Sequence, residues 1–196
     1  NPALAAGNDK AANLLVALQA NPNKRLIGGH DGLISSPDDL LGLDASPDDV
    51  TKKATGLEAL GEIDDIAIVA LPDGGAYADE VNSLAAADRL IGHAERLRYR
   101  IAVVDGRQNS SMTEIRRFRG QFDSKYAALY HPWVEILDPT QRAAQGAPPQ
   151  RLLLPPSGFV TGIYARSDIQ RGVHKAPANE VVMGLTKFEL NINKAR

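Results

Sequence analysis

The chain has 196 residues, of which 43% are hydrophobic, 22 are basic and 24 are acidic, so its formal net charge is −2. These values suit one globular domain rather than a disordered tail, and they argue against a broad nucleic-acid-binding surface. The lack of cysteine excludes disulfides and thiolate metal sites, and the longest apolar run, Ile66–Leu71, is far too short to span a bilayer.

The first 24 residues give the weakest signals, and we expect an N-terminal arm or a short helix there. Residues 11–20 fit a helix with Leu14, Leu15 and Leu18 on one side, and an irregular arm fits them nearly as well. The next residues, Arg25–Ile27, predict a short strand that a glycine-rich turn breaks.

Two near-identical stretches, Ser36-Pro37-Asp38-Asp39 and Ser46-Pro47-Asp48-Asp49, are typical of helix starts. Serine caps free N–H groups, proline suits the first helical position, and acidic residues favour the positive end of a helix. The second stretch predicts a helix over Val50–Leu60. Capping explains both acidic pairs without a metal ion.

From Ile66 the sequence alternates between short apolar runs and amphipathic stretches. Ile66–Leu71 is apolar on both faces, as in a central parallel strand. The next stretch, Tyr77–Leu97, predicts a long helix with a core stripe of Val81, Leu84, Leu90, Ile91 and Leu97. Three further elements follow: a strand at Ile101–Val104, a basic helix at Met112–Phe122 and a strand at Ala127–Tyr130. We interpret Arg116–Arg119 as the solvated face of that helix rather than as a nucleic-acid patch.

The last third of the chain predicts more extended pieces and one helix. The pattern of Trp133–Leu137 looks extended, and Thr140–Gln150 is typical of a surface loop. The apolar run Leu152–Leu154 is expected to return to the parallel sheet. Residues 186–192 alternate in polarity, which is typical of an edge strand or of strand exchange.

A helix is predicted after two prolines, with Ser157 as its N-cap and Arg171 in its last turn. Small residues are expected to let it lie close against the sheet: Gly158, Gly162 and Ala165. Together, these elements predict an α/β fold, a three-layer α/β/α sandwich with a mainly parallel sheet. We expect its core between about residues 49 and 171, with an N-terminal appendage and a C-terminal extended segment.

Residues 152–180, LLLPPSGFVTGIYARSDIQRGVHKAPANE, resemble the hallmark segment of contractile-tail sheath proteins of tailed phages and related particles. Four upstream stretches match in the same order: RLIGGHDG, GLEALGEIDDIAIVALPD, RIAVVDGR and KYAALYHPWVEILDP. The resemblance covers about Arg25 to Met183. It implies a sheath domain over residues 25–183, preceded by the arm at 1–24 and followed at 184–196 by the start of a truncated extended segment.

The resemblance implies a structural subunit rather than an enzyme. Such subunits stack as rings into a helical sheath around an inner tube, and contraction drives the tube through a target envelope. The implied partners are other sheath subunits, the inner tail tube protein, and baseplate and tail terminator proteins, with no nucleic acid, membrane insertion, cofactor or metal. The expected location is the tail of a virion or phage-like particle, assembled in the bacterial host cytoplasm.

Five polar residues in and after the most family-like stretch are candidates for fixing a loop or contacting a neighbouring subunit: Arg166, Arg171, Lys175, Asn179 and Glu180. The internal role is favoured, because Asn and Glu side chains readily satisfy loop backbone groups. In sheath proteins, extended terminal arms add strands to neighbouring subunits. Both ends of this chain look like cuts in a longer protein, so we expect it to be monomeric or weakly associated by itself.

Two enzymatic alternatives stay open at this point. The central domain of sheath proteins is described as subtilisin-like, and Asp73, His93 and Ser157 occur in Asp–His–Ser order. A serine nucleophile needs a base within hydrogen-bond reach, but His93 lies deep in a predicted helix and two prolines precede Ser157. The glycine turns at Gly28 and Gly74 suggest a nucleotide-binding domain, although the first matches neither dinucleotide nor P-loop spacing.

Overall fold

The computed structural model of the chain describes residues 35–140 and 148–192, with Val16 and Gln19 as isolated helical positions. Apart from those two positions, the predicted N-terminal helix, the strand at Arg25–Ile27 and the Gly28 turn lie outside the described residues. The chain divides into two units at residue 35, and the fold described below is that of the second unit.

The second unit contains five described helices, six strands and one 3₁₀ turn at Pro72–Gly75. The helices are α1 (Pro37–Leu41), α2 (Gly56–Gly61), α3 (Glu80–Leu97), α4 (Met112–Arg119) and α5 (Ser157–Arg171). The strands are β1 (Ile68–Ala70), β2 (Ile101–Asp105), β3 (Ala127–Tyr130), β4 (Val134–Leu137), β5 (Arg151–Leu154) and β6 (Leu185–Phe188).

Strands β1, β2 and β3 pair in that order as a parallel sheet, so the predicted α/β class is confirmed. The central strand β2 is buried on both faces, because Ala102 and Val104 point to one side and Val103 to the other. Side chains of α3 and α4, among them Leu90 and Phe118, pack on the first face. Helix α5 contacts β1 and β2 from the other side, which gives three layers.

Helix α3 begins after Asp79, whose side chain accepts a hydrogen bond from the Asn82 backbone N–H at 2.7 Å. Its predicted core positions Leu90 and Ile91 are buried, but Val81 is 76% exposed. In its first half the helix instead buries small residues: Ser83, Ala86 and Ala87. Small side chains bring the helix axis closer to the sheet, so the buried face of α3 begins with Ser83, Ala86 and Ala87. A prediction from hydrophobicity alone places Val81 on that face and is wrong there.

The two Ser-Pro-Asp-Asp stretches differ in structure. Ser36 caps α1 in a reciprocal capping box with Asp39, as predicted. The helix predicted over Val50–Leu60 forms only from Gly56 on, and its predicted start is wrong, because Asp49 accepts hydrogen bonds from the backbone N–H and hydroxyl of Thr51 and closes a turn. An aspartate that bonds its own local backbone competes with the helix, and α2 begins only at Gly56.

The extended pieces of the last third form a second, antiparallel sheet in the order β5–β4–β6. The expectation that Leu152–Leu154 joins the parallel sheet is therefore wrong, because β5 pairs with β4. On one face of this sheet, Glu135 forms ion pairs with Arg151 and Lys187 on the flanking strands. Strand β6 lies at the edge, which agrees with its alternating sequence.

Helix α5 has the predicted bounds, but a different face of it is buried. Its Gly158, Gly162 and Ala165 are exposed, and a Cβ at either glycine would meet no atom within 4 Å. The small residues therefore do not serve close packing on the sheet, and the prediction that they do is wrong. The buried positions are Ser157, Val160 and Ser167.

Candidate functional site

Ser157 lies at the first turn of α5 and is completely buried. It is not the N-cap that the sequence predicts, since Pro156 occupies that position without a side-chain hydrogen bond. Its backbone N–H donates to the Asp105 carboxylate at 2.7 Å, and its hydroxyl has no partner among the described residues. A carboxylate from another strand thus satisfies the free N–H group at the start of this helix.

The three residues of the predicted catalytic order do not come together. His93 contacts Arg100, directly before the amino end of β2, whereas Ser157 contacts Asp105 at the carboxyl end. Five residues of strand separate those two positions by about 16 Å. Asp73 is exposed on the 3₁₀ turn. No imidazole hydrogen bond reaches Ser157 within the described part of the chain, and its buried hydroxyl is not presented to a substrate.

Asp105 is the buried carboxylate that the sequence interpretation passed over. It ends β2 with only 4% of its surface exposed, and burial raises its pKa to about 6, while its contacts with Ser157 oppose that shift. One signal was available in the sequence: a carboxylate directly follows the apolar run Ile101–Val104. Its partner could not be inferred, because Ser157 lies 52 residues further along the chain.

The glycine turn at Gly74 and Gly75 packs against its own domain. A Cβ at Gly74 would lie 3.2 Å from Ala86 Cβ, and one at Gly75 would lie 3.0 Å from Asp105 Cβ. Both glycines are buried, so the turn presents no open cradle of N–H groups to a phosphate. The other candidate turn, at Gly28, lies outside the described residues.

Three of the five candidate assembly or loop-fixing residues come together at the Glu180 carboxylate. Arg166 and Arg171 approach this carboxylate at 3.2 and 3.9 Å. The Lys175 ammonium donates to the Ala176 carbonyl at 3.0 Å, and Asn179 has a φ of 60°. Positive φ is tolerated by Asn better than by most residues with a side chain, so this position favours a tight bend. The arrangement joins the end of α5 to the segment that follows it.

A cavity of about 230 Å³ opens beside this loop and the first turns of α5. Its lining is largely apolar and includes Phe159, Ile163, Pro177 and Phe188. His131 also lines the cavity; its two ring nitrogens are buried without a partner in the described structure, and burial lowers its pKa. The cavity holds apolar groups better than charged ones.

An exposed apolar surface extends along α5 and the segment after it. Ile169 and Val173 are 86% and 85% exposed, and Val181 and Met183 are 73% and 72% exposed. The α5 positions Gly158, Gly162, Ala165 and Ile169 repeat at helical spacing, so they lie on one exposed face. Contiguous exposed apolar surface is typical of interaction sites. We call the surface formed by Gly158, Gly162, Ala165, Ile169 and Val173 the α5 outer face.

The described ranges 35–140 and 148–192 contain neither a metal site nor a membrane-spanning helix. No group of three or more His, Cys, Asp or Glu side chains is arranged to hold a metal ion there. Among the described helices, none is long and apolar enough to cross a membrane.

Comparison with known proteins identifies relatives of one kind. A putative prophage major tail sheath protein of Pseudomonas aeruginosa (strain UCBPP-PA14) is 31% identical over 102 residues, which cover 52% of this chain and 24% of that protein. This chain thus spans about a quarter of the length of that relative.

Two solved structures are also similar. They are the baseplate of the anti-feeding prophage, at 25% identity, and its helical sheath in the contracted state, at 24% identity. Each covers 71% of this chain, with a TM-score of 0.49, and the chain covers 32% and 34% of those proteins.

The decisive comparison is with protein families. Residues 44–196 match the family described as the phage tail sheath protein central domain. That match includes both sheets and four of the five described helices, α2 to α5. The chain therefore belongs to the phage tail sheath central-domain family.

Proposed function

We propose that this chain is the central part of a structural subunit of a contractile tail sheath, in a phage or a phage-like injection particle. The subunit assembles helically around an inner tube and contracts to drive the tube through a target cell envelope. The observation that carries the proposal is the family match over residues 44–196. The arm at residues 1–24 and the extended segment from residue 184 belong to the same proposal.

The described structure supports a role in assembly better than a role in catalysis. Ser157, the candidate nucleophile, is buried and its hydroxyl has no imidazole partner among the described residues, while the α5 outer face exposes Ile169 and Val173. Exposed isoleucine and valine cost free energy in water and gain it when a partner covers them. We propose that a second sheath subunit covers the α5 outer face in the assembled particle. The tail tube, baseplate and terminator proteins are the further partners of the proposal.

The loop around Glu180 has an internal role in this proposal. Two arginines from α5 converge on one carboxylate that is only 22% exposed, so the ion pairs hold the segment after α5 against the helix. Reversing the charges of Lys175 and Glu180 in the full-length protein separates the alternatives. We expect a lower melting temperature. Failed assembly with unchanged melting would instead assign these residues to a contact between subunits.

The experiment that tests the proposed function introduces Ile169→Glu into the full-length protein. Ile169 is 86% exposed, so the substitution leaves the fold of the subunit intact while placing a charge in the proposed interface. Electron microscopy is expected to show striated tubes for the unaltered protein and none for this variant, with equal melting temperatures of the subunits.

Val50→Glu is the matched control, because Val50 is 89% exposed on a turn outside the α5 outer face. That variant is expected to form tubes normally. Tubes formed by Ile169→Glu would remove the α5 outer face from the proposal, and an unaltered protein that forms no tubes would contradict the sheath function itself.

A further inference from the structure

A small cavity lies between α3, the Pro72–Gly75 turn and the carboxyl end of β2. Its volume is about 10 Å³, which is room for one water molecule. Most of its wall is apolar and includes Leu71, Ala86, Leu90 and Val104. The two lining residues with polar side chains are Ser83 and Asp105. An entirely apolar cavity would stay dry, but this one has two polar groups on its wall.

Both polar side chains have unused hydrogen-bonding capacity. Ser83 is 1% exposed and Asp105 is 4% exposed. The Ser83 hydroxyl and the Asp105 Oδ2 have no partner among the described residues. A buried polar atom without a partner costs about 1–3 kcal/mol, and more when it carries charge. Two such atoms on one water-sized cavity are therefore unexpected unless something occupies it.

We infer that this cavity is a binding site for one structural water molecule, which donates a hydrogen bond to Asp105 Oδ2 and hydrogen-bonds the Ser83 hydroxyl. The water satisfies both side chains at once. Backbone groups of the Gly74–Gly75 turn, which also line the cavity, offer further partners. Buried waters in proteins typically make about three such bonds.

The site connects the two helical layers through the end of the sheet. Ser83 belongs to α3 on one face, and Asp105 Oδ1 accepts from the Ser157 backbone N–H of α5 on the other face. The water and the carboxylate thus form a continuous hydrogen-bonded link from α3 to α5. Neither helix reaches the other through the described hydrophobic core, which lies on the α3 side.

Gly74 of the turn lies on the wall of the same cavity. An added Cβ at Gly74 would lie 3.2 Å from Ala86 Cβ and 3.7 Å from a Leu71 methyl carbon, both on the cavity wall. A methyl group there takes up space that the water needs. We therefore expect Gly74→Ala to displace the water, whereas Ser83→Ala removes one of its partners and leaves the space.

The test is a crystal structure of the chain at atomic resolution, combined with NMR titration of the Asp105 side-chain carbon. We expect one ordered water within about 3.2 Å of both Ser83 Oγ and Asp105 Oδ2. We also expect the Asp105 pKa to rise further in Gly74→Ala, because the buried carboxylate loses the water as a hydrogen-bond donor. A smaller rise is expected in Ser83→Ala, because the water loses one of its partners and donates to the carboxylate less well.

Ser167→Ala is the matched control, because Ser167 is a buried helix serine at the far end of α5 whose hydroxyl donates to the Lys175 carbonyl. It is expected to leave the titration of Asp105 unchanged. A dry cavity, or an Asp105 pKa that is the same in Ser83→Ala and Gly74→Ala as in the unaltered chain, would overturn the inference. A serine with only a packing role lowers stability without moving that titration.

Discussion

Strand β2 has a buried ionisable group at each end, and the two groups are accommodated in opposite ways. Arg100, directly before the strand, is 2% exposed, and Asp105, its last residue, is 4% exposed. The Arg100 guanidinium donates to the Leu60 and Ile63 carbonyls, the Tyr99 hydroxyl and His93 Nε2, at 2.9–3.1 Å. Asp105 accepts a hydrogen bond from the Ser157 N–H through Oδ1, and its Oδ2 has no partner among the described residues.

The difference shows how much partner number matters for a buried charge. Four acceptors surround the arginine, and only its Nε lacks a partner in the described structure. The carboxylate keeps one oxygen without a protein partner, and burial raises its pKa to about 6. A buried charge is tolerated when hydrogen bonds replace its hydration. At the amino end of β2, protein groups replace the hydration of the Arg100 charge. At the carboxyl end, the described residues leave Asp105 Oδ2 without such a group.

The largest expected effect is at the amino end. Arg100→Met keeps the length and apolar character of the side chain but removes every donor. The substitution leaves the backbone carbonyls of Leu60 and Ile63 and the His93 nitrogen without their partner. We expect a loss of about 3–4 kcal/mol in the free energy of unfolding, measured by urea denaturation.

Arg116→Met is the control for the Arg100 variant, since Arg116 is exposed on α4. Its effect should stay within about 0.5 kcal/mol. If Arg100→Met were as stable as this control, the hydrogen bonds at the amino end would add nothing to the stability of the fold. The comparison between the two ends of the strand would then fail.

The second effect has the opposite sign and belongs to the carboxyl end. Asp105→Asn keeps an oxygen that accepts from the Ser157 N–H but removes the buried charge. The raised pKa means that the folded state favours the protonated form of Asp105 in the unaltered chain. The stability that this protonated form contributes is complete below about pH 3.8 and is lost as the pH rises through 6.

We therefore expect Asp105→Asn to be more stable than the unaltered chain by about 3 kcal/mol at pH 8 and to show little gain at pH 4. Thermal and urea unfolding at both pH values measure this. The control Asp73→Asn changes an exposed aspartate of the 3₁₀ turn and should be neutral at both. A destabilised Asp105→Asn at pH 8 would mean that the charged hydrogen bond at the start of α5 outweighs the desolvation of the carboxylate.

Sequence reasoning succeeds where the pattern is local. The parallel strands β1 to β3 and the bounds of α5 follow from short apolar runs, glycines and prolines within one stretch. It fails at Val81 and at the exposed α5 glycines, because which face of a helix is buried depends on packing partners far along the chain. The Ser46 stretch fails for a local reason, the turn that Asp49 closes with Thr51.

Neither end of β2 is predictable in the same way. Arg100 and His93 are close in sequence, but the carbonyls that hold Arg100 belong to Leu60, in the last turn of α2, and to Ile63, just after it, 40 and 37 positions earlier. Asp105 depends on Ser157, 52 positions later. A single sequence gives the residue types but not the register that brings them together, so both buried sites appear only in the structure.

The smallest expected effect is the pH response of the amino end. His93 accepts from Arg100 through Nε2, so its proton is on Nδ1 and the ring is neutral. Burial first, and then the Arg100 charge, lower its pKa below the ordinary 6.5; Arg96 acts in the same direction, and Glu58 opposes them. Stability from the neutral ring is complete above about pH 6.5 and declines as the pH falls toward the lowered pKa of the folded state.

His93→Gln keeps an oxygen that accepts from Arg100 but cannot take up a proton. We expect the unaltered chain to be more stable than this variant at pH 8 and the difference to shrink by pH 5, in urea unfolding at matched ionic strength. In the Asp105→Asn pair the difference also shrinks on acidification, but there the variant is the more stable protein at pH 8. The stability of the variant minus that of the unaltered chain should therefore fall on acidification for Asp105→Asn and rise for His93→Gln. Only a buried acid at one end of β2 and a neutral base at the other produce these opposite signs. The same sign for both variants would contradict the contrast that the hydrogen bonds of the two ends indicate.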